Sequence, residues 1–125
     1  MKKSKESAQE INLPPKLSEW RVEALVNTAK GLAEELSQGL DTQLRRIFDS
    51  VRRVELDFQR EERFSRDDVL LLKPRLAYAV ARQEKLRPIF TWLDKAIDRV
   101  QDGSDFQRLV QFIEAVLAYY KYERG

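Results

Sequence analysis

Apolar residues recur every three or four positions along most of the chain, and no segment alternates apolar with polar residues as a strand would. One stretch illustrates the spacing, because its apolar residues fall on one side of a helix that turns by about 100° per residue: Leu44, Ile47, Val51, Val54 and Phe58. Only four glycines and four prolines interrupt the 125 residues. This pattern predicts an all-α protein.

The helical segments predict a five-helix bundle that forms a single domain over residues 17–125, preceded by a flexible polar tail over residues 1–16. A chain of 125 residues has enough apolar surface for one hydrophobic core. Pro74 has no backbone N–H and disfavours helical geometry at Lys73. We therefore expect a kinked or split helix around these two residues.

The last helix is predicted to begin at a capping box formed by Ser104 and Gln107. Phe112 and Tyr119 lie seven residues apart and outside the main apolar stripe of this helix. Such a second strip predicts contact with another subunit. Trp92, in the preceding helix, also lies away from the centre of its apolar stripe. It fits either the edge of the core or a subunit contact.

A cationic face is predicted on the helix that follows Pro74. Taking about 100° per residue, four side chains share a sector of about 80°: Arg75, Tyr78, Arg82 and Lys85. Residues 73–95 carry six cations against two acids, although the net charge of the chain is only +2. Lys73 lies beside the free N–H groups of the restarted helix, which favour an anion. Because guanidinium groups bind phosphate through paired hydrogen bonds, this face predicts nucleic-acid binding.

A second basic face is predicted on the helix that contains Leu44. Its arginines lie roughly opposite the apolar stripe: Arg45, Arg46, Arg52, Arg53 and Arg60. This face has two interpretations. It is either a solvated surface paired with neighbouring carboxylates, which contributes little stability, or a further contact for RNA.

Three stretches of the sequence resemble a known family, in order and in spacing. They are residues 42–49 (TQLRRIFD), residues 72–83 (LKPRLAYAVARQ), and residues 105–121, which contain DFQRLVQF, EA and AYYK. With these stretches the chain resembles the small helical subunit of the Csm complex, the type III-A CRISPR effector.

The resemblance implies a non-catalytic, RNA-binding structural subunit that serves antiviral defence. In such complexes the small subunits stack on copies of themselves along the guide (CRISPR) RNA and the target RNA, beside the backbone subunits and the large subunit. Together, the basic faces and the resemblance predict ten RNA-contacting residues: Lys73, Arg75, Tyr78, Arg82, Lys85, Arg45, Arg46, Arg52, Arg53 and Lys121.

Residue types that are missing narrow the possible chemistry. The chain has no His and no Cys, so the usual general base, the thiol nucleophile and the commonest metal ligands are lacking. Adjacent acids such as Asp67-Asp68 or Glu61-Glu62 point about 100° apart on a helix and do not converge on one ion. We therefore expect no enzyme activity, no cofactor and no metal.

The sequence leaves one rival function open, a protein-only helical adaptor whose arginines bind acidic surfaces of partner proteins.

The sequence also lacks an apolar run long enough to cross a bilayer and an N-terminal stretch typical of a signal peptide. We therefore expect a cytoplasmic protein with no membrane partner.

Overall fold

The computed structural model describes residues 11–124. Within this range the chain forms six α-helical segments and no strand. Their bounds are α1 Val22–Glu35, α2 Asp41–Glu61, α3 Arg66–Leu70, α4 Leu72–Arg82, α5 Arg87–Asp98 and α6 Gly103–Arg124. Two short 3₁₀ turns lie at Leu17–Glu19 and Glu84–Leu86. Because α3 and α4 are two parts of one broken helix, the predicted all-α bundle of five helices is confirmed.

The break between α3 and α4 lies at Leu71, just before the predicted position. Pro74 falls in the first turn of α4, where it cannot donate the backbone hydrogen bond that would reach the carbonyl of Leu70 in a continuous helix. At the other end of α3, the hydroxyl of Ser65 accepts a hydrogen bond from the N–H of Asp68 at 3.3 Å. The cap at Ser65 sets the start of α3 and the break before Pro74 sets its end, so α3 has only five residues.

Helix α6 is the centre of the bundle, with α1 and α2 packed along it. Its buried residues are Asp105, Phe106, Leu109, Val110, Phe112, Ile113, Val116 and Tyr120. At one end, Phe58 of α2 packs edge-on against Phe106, with the ring centres 5.3 Å apart. At the other end, Leu40 before α2 contacts Tyr120. Helix α2 therefore runs antiparallel to α6.

Two side chains near the end of α6 hold the loop between α1 and α2. The hydroxyl of Tyr120 donates to the carbonyl of Ser37 at 2.6 Å and accepts from the N–H of Leu40 at 3.0 Å. Arg124 donates to the carbonyl of Leu36 and to that of Ala33, which also accepts from the N–H of Leu36 at 3.3 Å. The carboxyl ends of α1 and α6 therefore lie together.

The start of α6 is capped by Asp102, and the predicted capping box at Ser104 is wrong. A carboxylate oxygen of Asp102 accepts from the N–H of Asp105 at 3.0 Å, and the hydroxyl of Ser104 donates to the same oxygen at 2.8 Å. Aspartate caps a helix as well as serine does, and here Asp102 also binds Lys16 at 2.6 Å. The ion pair with Lys16 therefore favours Asp102 over Ser104 as the cap of α6.

Residues 11–16, predicted as part of a flexible tail, are docked on the bundle. Leu13 is only 8% exposed. Lys16 binds Asp102 at 2.6 Å and Asp105 at 2.9 Å. These partners lie 86 and 89 residues away in the sequence, so local composition could not reveal them. The remainder of the predicted tail, residues 1–10, lies outside the described residues.

An aromatic cluster occupies the place where a subunit contact was predicted. The rings of Trp20 and Trp92 are stacked with their centres 6.4 Å apart, and Phe112 lies 5.0 Å from Trp20. Phe112 is fully buried and Tyr119 is half-buried against the core. The subunit contact predicted for Phe112 is therefore wrong, because α6 is central and buries apolar residues on more than one side. Trp92 lies at the edge of the core.

Candidate nucleic-acid interface

A cleft of about 320 Å³ lies between α2 and α4. Helix α2 contributes one wall with Gln43, Arg46, Ile47, Ser50 and Val51. Helix α4 and its C-cap contribute the other with Leu72, Arg75, Leu76, Tyr78, Ala79, Arg82 and Gln83. Both sets recur at intervals of three and four residues, so each helix presents one continuous stripe to the cleft.

The rim of the cleft is cationic. Arg46 from α2 and Arg75 and Arg82 from α4 line the same cleft, and all three are exposed. None of the described residues that line the cleft is acidic. Within residues 11–124, no carboxylate lies within ion-pair distance of these three arginines. The three guanidinium groups are therefore open to an external anion.

Tyr78 and Arg82 contact each other at this rim. The guanidinium carbon of Arg82 lies 5.7 Å from the ring centre of Tyr78. A guanidinium nitrogen of Arg82 also donates to the Tyr78 hydroxyl at 3.4 Å. Because the two residues are four apart on α4, the helix itself brings them together. Tyr78 is still 63% exposed, although a side chain of this size is commonly more buried.

Lys73, predicted as an RNA contact, has two carboxylate partners on α5. Its ammonium group lies 2.6 Å from Asp98 and 3.5 Å from Asp94. The hydrogen bond that Lys73 donates to Asp98, together with the charges of both carboxylates, raises the pKa of Lys73. Lys73 is half-buried and does not line the cleft. Its position ties α4 to α5.

Arg52 and Arg53 lie in a separate hollow on the outer side of α2, together with Phe48, Asp49, Leu56, Asp57 and Arg60. Arg52 is paired with the buried Glu55. Two carboxylates, Asp49 and Asp57, line the same hollow. In this hollow the charge of the arginines is therefore partly balanced by nearby carboxylates of the same chain, whereas no carboxylate among residues 11–124 lines the cleft.

The other three predicted residues are exposed but lie outside the cleft. Arg45 precedes Arg46 on α2 and so points about 100° away from it. Lys85 belongs to the second 3₁₀ turn, beyond the end of α4. Lys121 lies near the end of α6, next to the buried Tyr120. The structure therefore joins four of the ten predicted residues in one cleft: Arg46, Arg75, Tyr78 and Arg82.

Three polar residues of the cleft were not predicted from the sequence, namely Gln43, Ser50 and Gln83. A signal for two of them was present, because Gln43 and Ser50 lie three residues before and four residues after Arg46. That spacing places them on the same stripe of α2. Neutral polar residues are common on helix surfaces, so the spacing becomes informative only when the facing helix is known.

In residues 11–124, no group of three or more acidic residues is arranged to hold a metal ion. Asp67 and Asp68 lie in the first turn of α3, where negative charge stabilises the helix. None of the helices in residues 11–124 combines the length and the apolar character required to span a membrane.

Comparison with known proteins identifies the family. The Csm2 Type III-A family model matches residues 19–125, which include both walls of the cleft. No significant match was found among curated proteins or among solved structures. The matched segment covers most of the chain and agrees with the resemblance noted in its three helical stretches. The chain therefore belongs to the Csm2 family, the small structural subunits of the type III-A CRISPR Csm complex.

Proposed function

We propose that this subunit binds the RNA of its complex in the cleft between α2 and α4. One observation carries the proposal: arginines from two helices, Arg46, Arg75 and Arg82, line one cleft whose described residues include no acid. Three uncompensated guanidinium groups favour a polyanion. RNA is the polyanion that a CRISPR effector contains.

The proposed contacts are made to the sugar-phosphate backbone. Each guanidinium group can donate two parallel hydrogen bonds to a phosphate, and these bonds position RNA without reading its sequence. Such contacts suit a complex whose guide changes with every spacer, because base pairing between guide and target supplies the specificity. The subunit would then bind guide or target RNA of any sequence.

The proposal includes a structural role without catalysis. The chain contains neither His nor Cys, so a cleavage reaction would require an unusual general base or nucleophile.

We also propose that copies of the subunit stack on one another along the RNA, beside the backbone and large subunits of the complex. Several large apolar side chains are exposed and available for such contacts: Val22, Leu56, Leu71 and Tyr122.

The test is the salt dependence of RNA binding. If about three phosphates are neutralised, the logarithm of the affinity for single-stranded RNA falls with the logarithm of salt concentration at a slope near 2. A fourfold rise in salt then weakens binding roughly twentyfold. We expect the double variant Arg75→Ala/Arg82→Ala to lower this slope by about 1.4, measured by fluorescence anisotropy.

A matched control removes the same charge elsewhere. Arg21 and Lys30 are exposed, at the start of α1 and within it, outside the cleft. We expect Arg21→Ala/Lys30→Ala to leave the slope unchanged. If both double variants change the slope equally, the arginines of the cleft are not the RNA site. Binding to an acidic helical peptide but not to RNA would instead favour the protein-only adaptor.

A further inference from the structure

The floor of the cleft is apolar, which backbone binding alone does not require. Below the arginine rim the cleft is lined by the edges of four buried residues, Ile47, Val51, Leu72 and Leu76, and by the half-buried Ala79. Phosphates and riboses are strongly hydrated, so they gain little from contact with aliphatic carbon. The part of RNA that does gain is the face of a base, which is flat and poorly hydrated. The cleft therefore combines two surfaces suited to two different parts of one nucleotide.

The Tyr78–Arg82 pair supplies a stacking surface at the mouth of this cleft. The guanidinium carbon of Arg82 lies 5.7 Å from the ring centre of Tyr78, and a guanidinium nitrogen lies 3.4 Å from the Tyr78 hydroxyl, so the two planar groups are neighbours at the mouth. Tyr78 is 63% exposed and so is available to a flat ligand. Stacking on an aromatic ring contributes to the binding of any base, because every base has a π-face.

We infer that the cleft accepts one unstacked base of single-stranded RNA, held between the Tyr78 ring and the apolar floor. The phosphates on either side of that nucleotide lie on Arg46, Arg75 and Arg82. This inference rests on the proposed function and adds a ligand class to it, a whole nucleotide in place of backbone alone. Proteins that take a base out of its stack hold it in the same manner, between aromatic or apolar side chains.

The dimensions of the cleft favour a nucleotide over a protein helix. Its volume of about 320 Å³ lies at the lower end of the range for small-molecule pockets, about 300–1,000 Å³. A helix docked between α2 and α4 would need a continuous apolar groove along several of its turns. Here the apolar residues span about one turn of α2 and two turns of α4, and three arginines line the same cleft, so one base with its flanking phosphates fits better.

The inference is tested with two RNAs that differ only in their bases. One is a single-stranded oligoadenylate of twelve nucleotides, and the other has the same sugar-phosphate backbone with every base removed. Both carry the same phosphates, so the salt dependence of binding is expected to be equal. We expect the intact RNA to bind the full-length chain roughly 5- to 150-fold more tightly than the abasic RNA. This ratio corresponds to the affinity that stacking of one base on an aromatic ring contributes.

Variants then locate the base. Tyr78→Ala should bring the affinity ratio of intact to abasic RNA close to one while leaving the salt slope intact. Tyr78→Phe keeps the ring and should keep the ratio. Ser50→Phe fills the cleft from the α2 wall and should reduce the ratio independently of Tyr78. Ser50 is half-buried and Tyr78 exposed, so circular dichroism is expected to report unchanged helicity for all three variants.

The outcomes separate this inference from the proposed function. Equal affinity for both RNAs, with a salt slope that still depends on Arg75 and Arg82, overturns the base pocket and leaves backbone binding in place. A preference for intact RNA that survives both Tyr78→Ala and Ser50→Phe places the base elsewhere and also overturns it. Failure to bind either RNA, combined with binding of an acidic helical peptide, removes the proposed function and the base pocket together.

Discussion

The ammonium group of Lys73 lies 2.6 Å from a carboxylate oxygen of Asp98 and joins α4 to α5. This pair separates Lys73 from the arginines two and nine residues after it, which line the cleft. A cation that is already paired gains less from a phosphate, because its partner must first be released. Helix α4 therefore carries one cation used for structure, Lys73, and two that are open to a ligand, Arg75 and Arg82.

We predict that Lys73→Ala leaves the salt slope of RNA binding unchanged. The pair is partly exposed, so its loss should reduce the free energy of unfolding by less than about 1 kcal/mol. Urea denaturation and anisotropy on the same variant check both expectations. A fall in slope as large as that of Arg75→Ala would show that Lys73 reaches the RNA and abandons Asp98.

Tyr120→Phe is expected to destabilise the bundle by about 1–3 kcal/mol, because it leaves the buried N–H of Leu40 and the carbonyl of Ser37 without their partner. Chemical denaturation measures the change. Tyr122→Phe is the control, since Tyr122 is 82% exposed and its hydroxyl should contribute less than about 0.5 kcal/mol. Equal stability of the two variants would contradict the prediction.

The buried carboxylate of Asp105 predicts a loss of stability in acid. Burial raises its pKa, but hydrogen bonds from Lys16, Gln101 and Ser18 outweigh that effect, and the pKa is lowered overall. When folding lowers the pKa of a carboxyl group, the ionised group stabilises the fold at any pH above its pKa in the unfolded chain. This stabilisation is lost as the pH falls through the pKa of the folded state. The free energy of unfolding should therefore decrease progressively as the pH falls below about 4.

Asp105→Asn separates this carboxylate from the other acids. The amide keeps one acceptor oxygen but cannot satisfy all the donors that surround Asp105, so a loss on the order of 1.5–3 kcal/mol is expected at neutral pH. The variant should also lose less stability than the wild type between neutral and acidic pH. An identical pH dependence in both proteins would exclude Asp105 as its source.

Phe112→Ala tests the finding that Phe112 belongs to the core. Removal of a fully buried ring that packs on Trp20 and Trp92 should cost about 3–5 kcal/mol. Thermal denaturation measures this loss, and tryptophan fluorescence should change with it. Were Phe112 a subunit contact, the isolated variant would be as stable as the wild type and only assembly would suffer.

The helices could be predicted from the sequence because their causes are local. Apolar spacing places Leu44, Ile47 and Val51 on one side of α2, and the missing N–H of Pro74 interrupts the helix near it. The segments beyond the helix ends depend on distant partners. Lys16 binds Asp102 across 86 residues, so neither the docking of residues 11–16 nor the cap of α6 follows from local composition.

The candidate site was predictable to the extent that it follows from single helices. Arg75, Tyr78 and Arg82 share a face of α4, and the structure joins them to Arg46 across the cleft. The pairing of Lys73 depends on α5, and the apolar floor depends on how α2 packs against α4. Both depend on contacts between helices, which cannot be predicted from the periodicity of one helix.

The central position of α6 has a consequence for biosynthesis. Helices α1 and α2 leave the ribosome before the helix on which they pack has been made, so their apolar stripes lack a partner during translation. The bundle can close only once residues 103–124 have emerged. Incomplete chains are therefore expected to be the form most prone to aggregate and most dependent on chaperones.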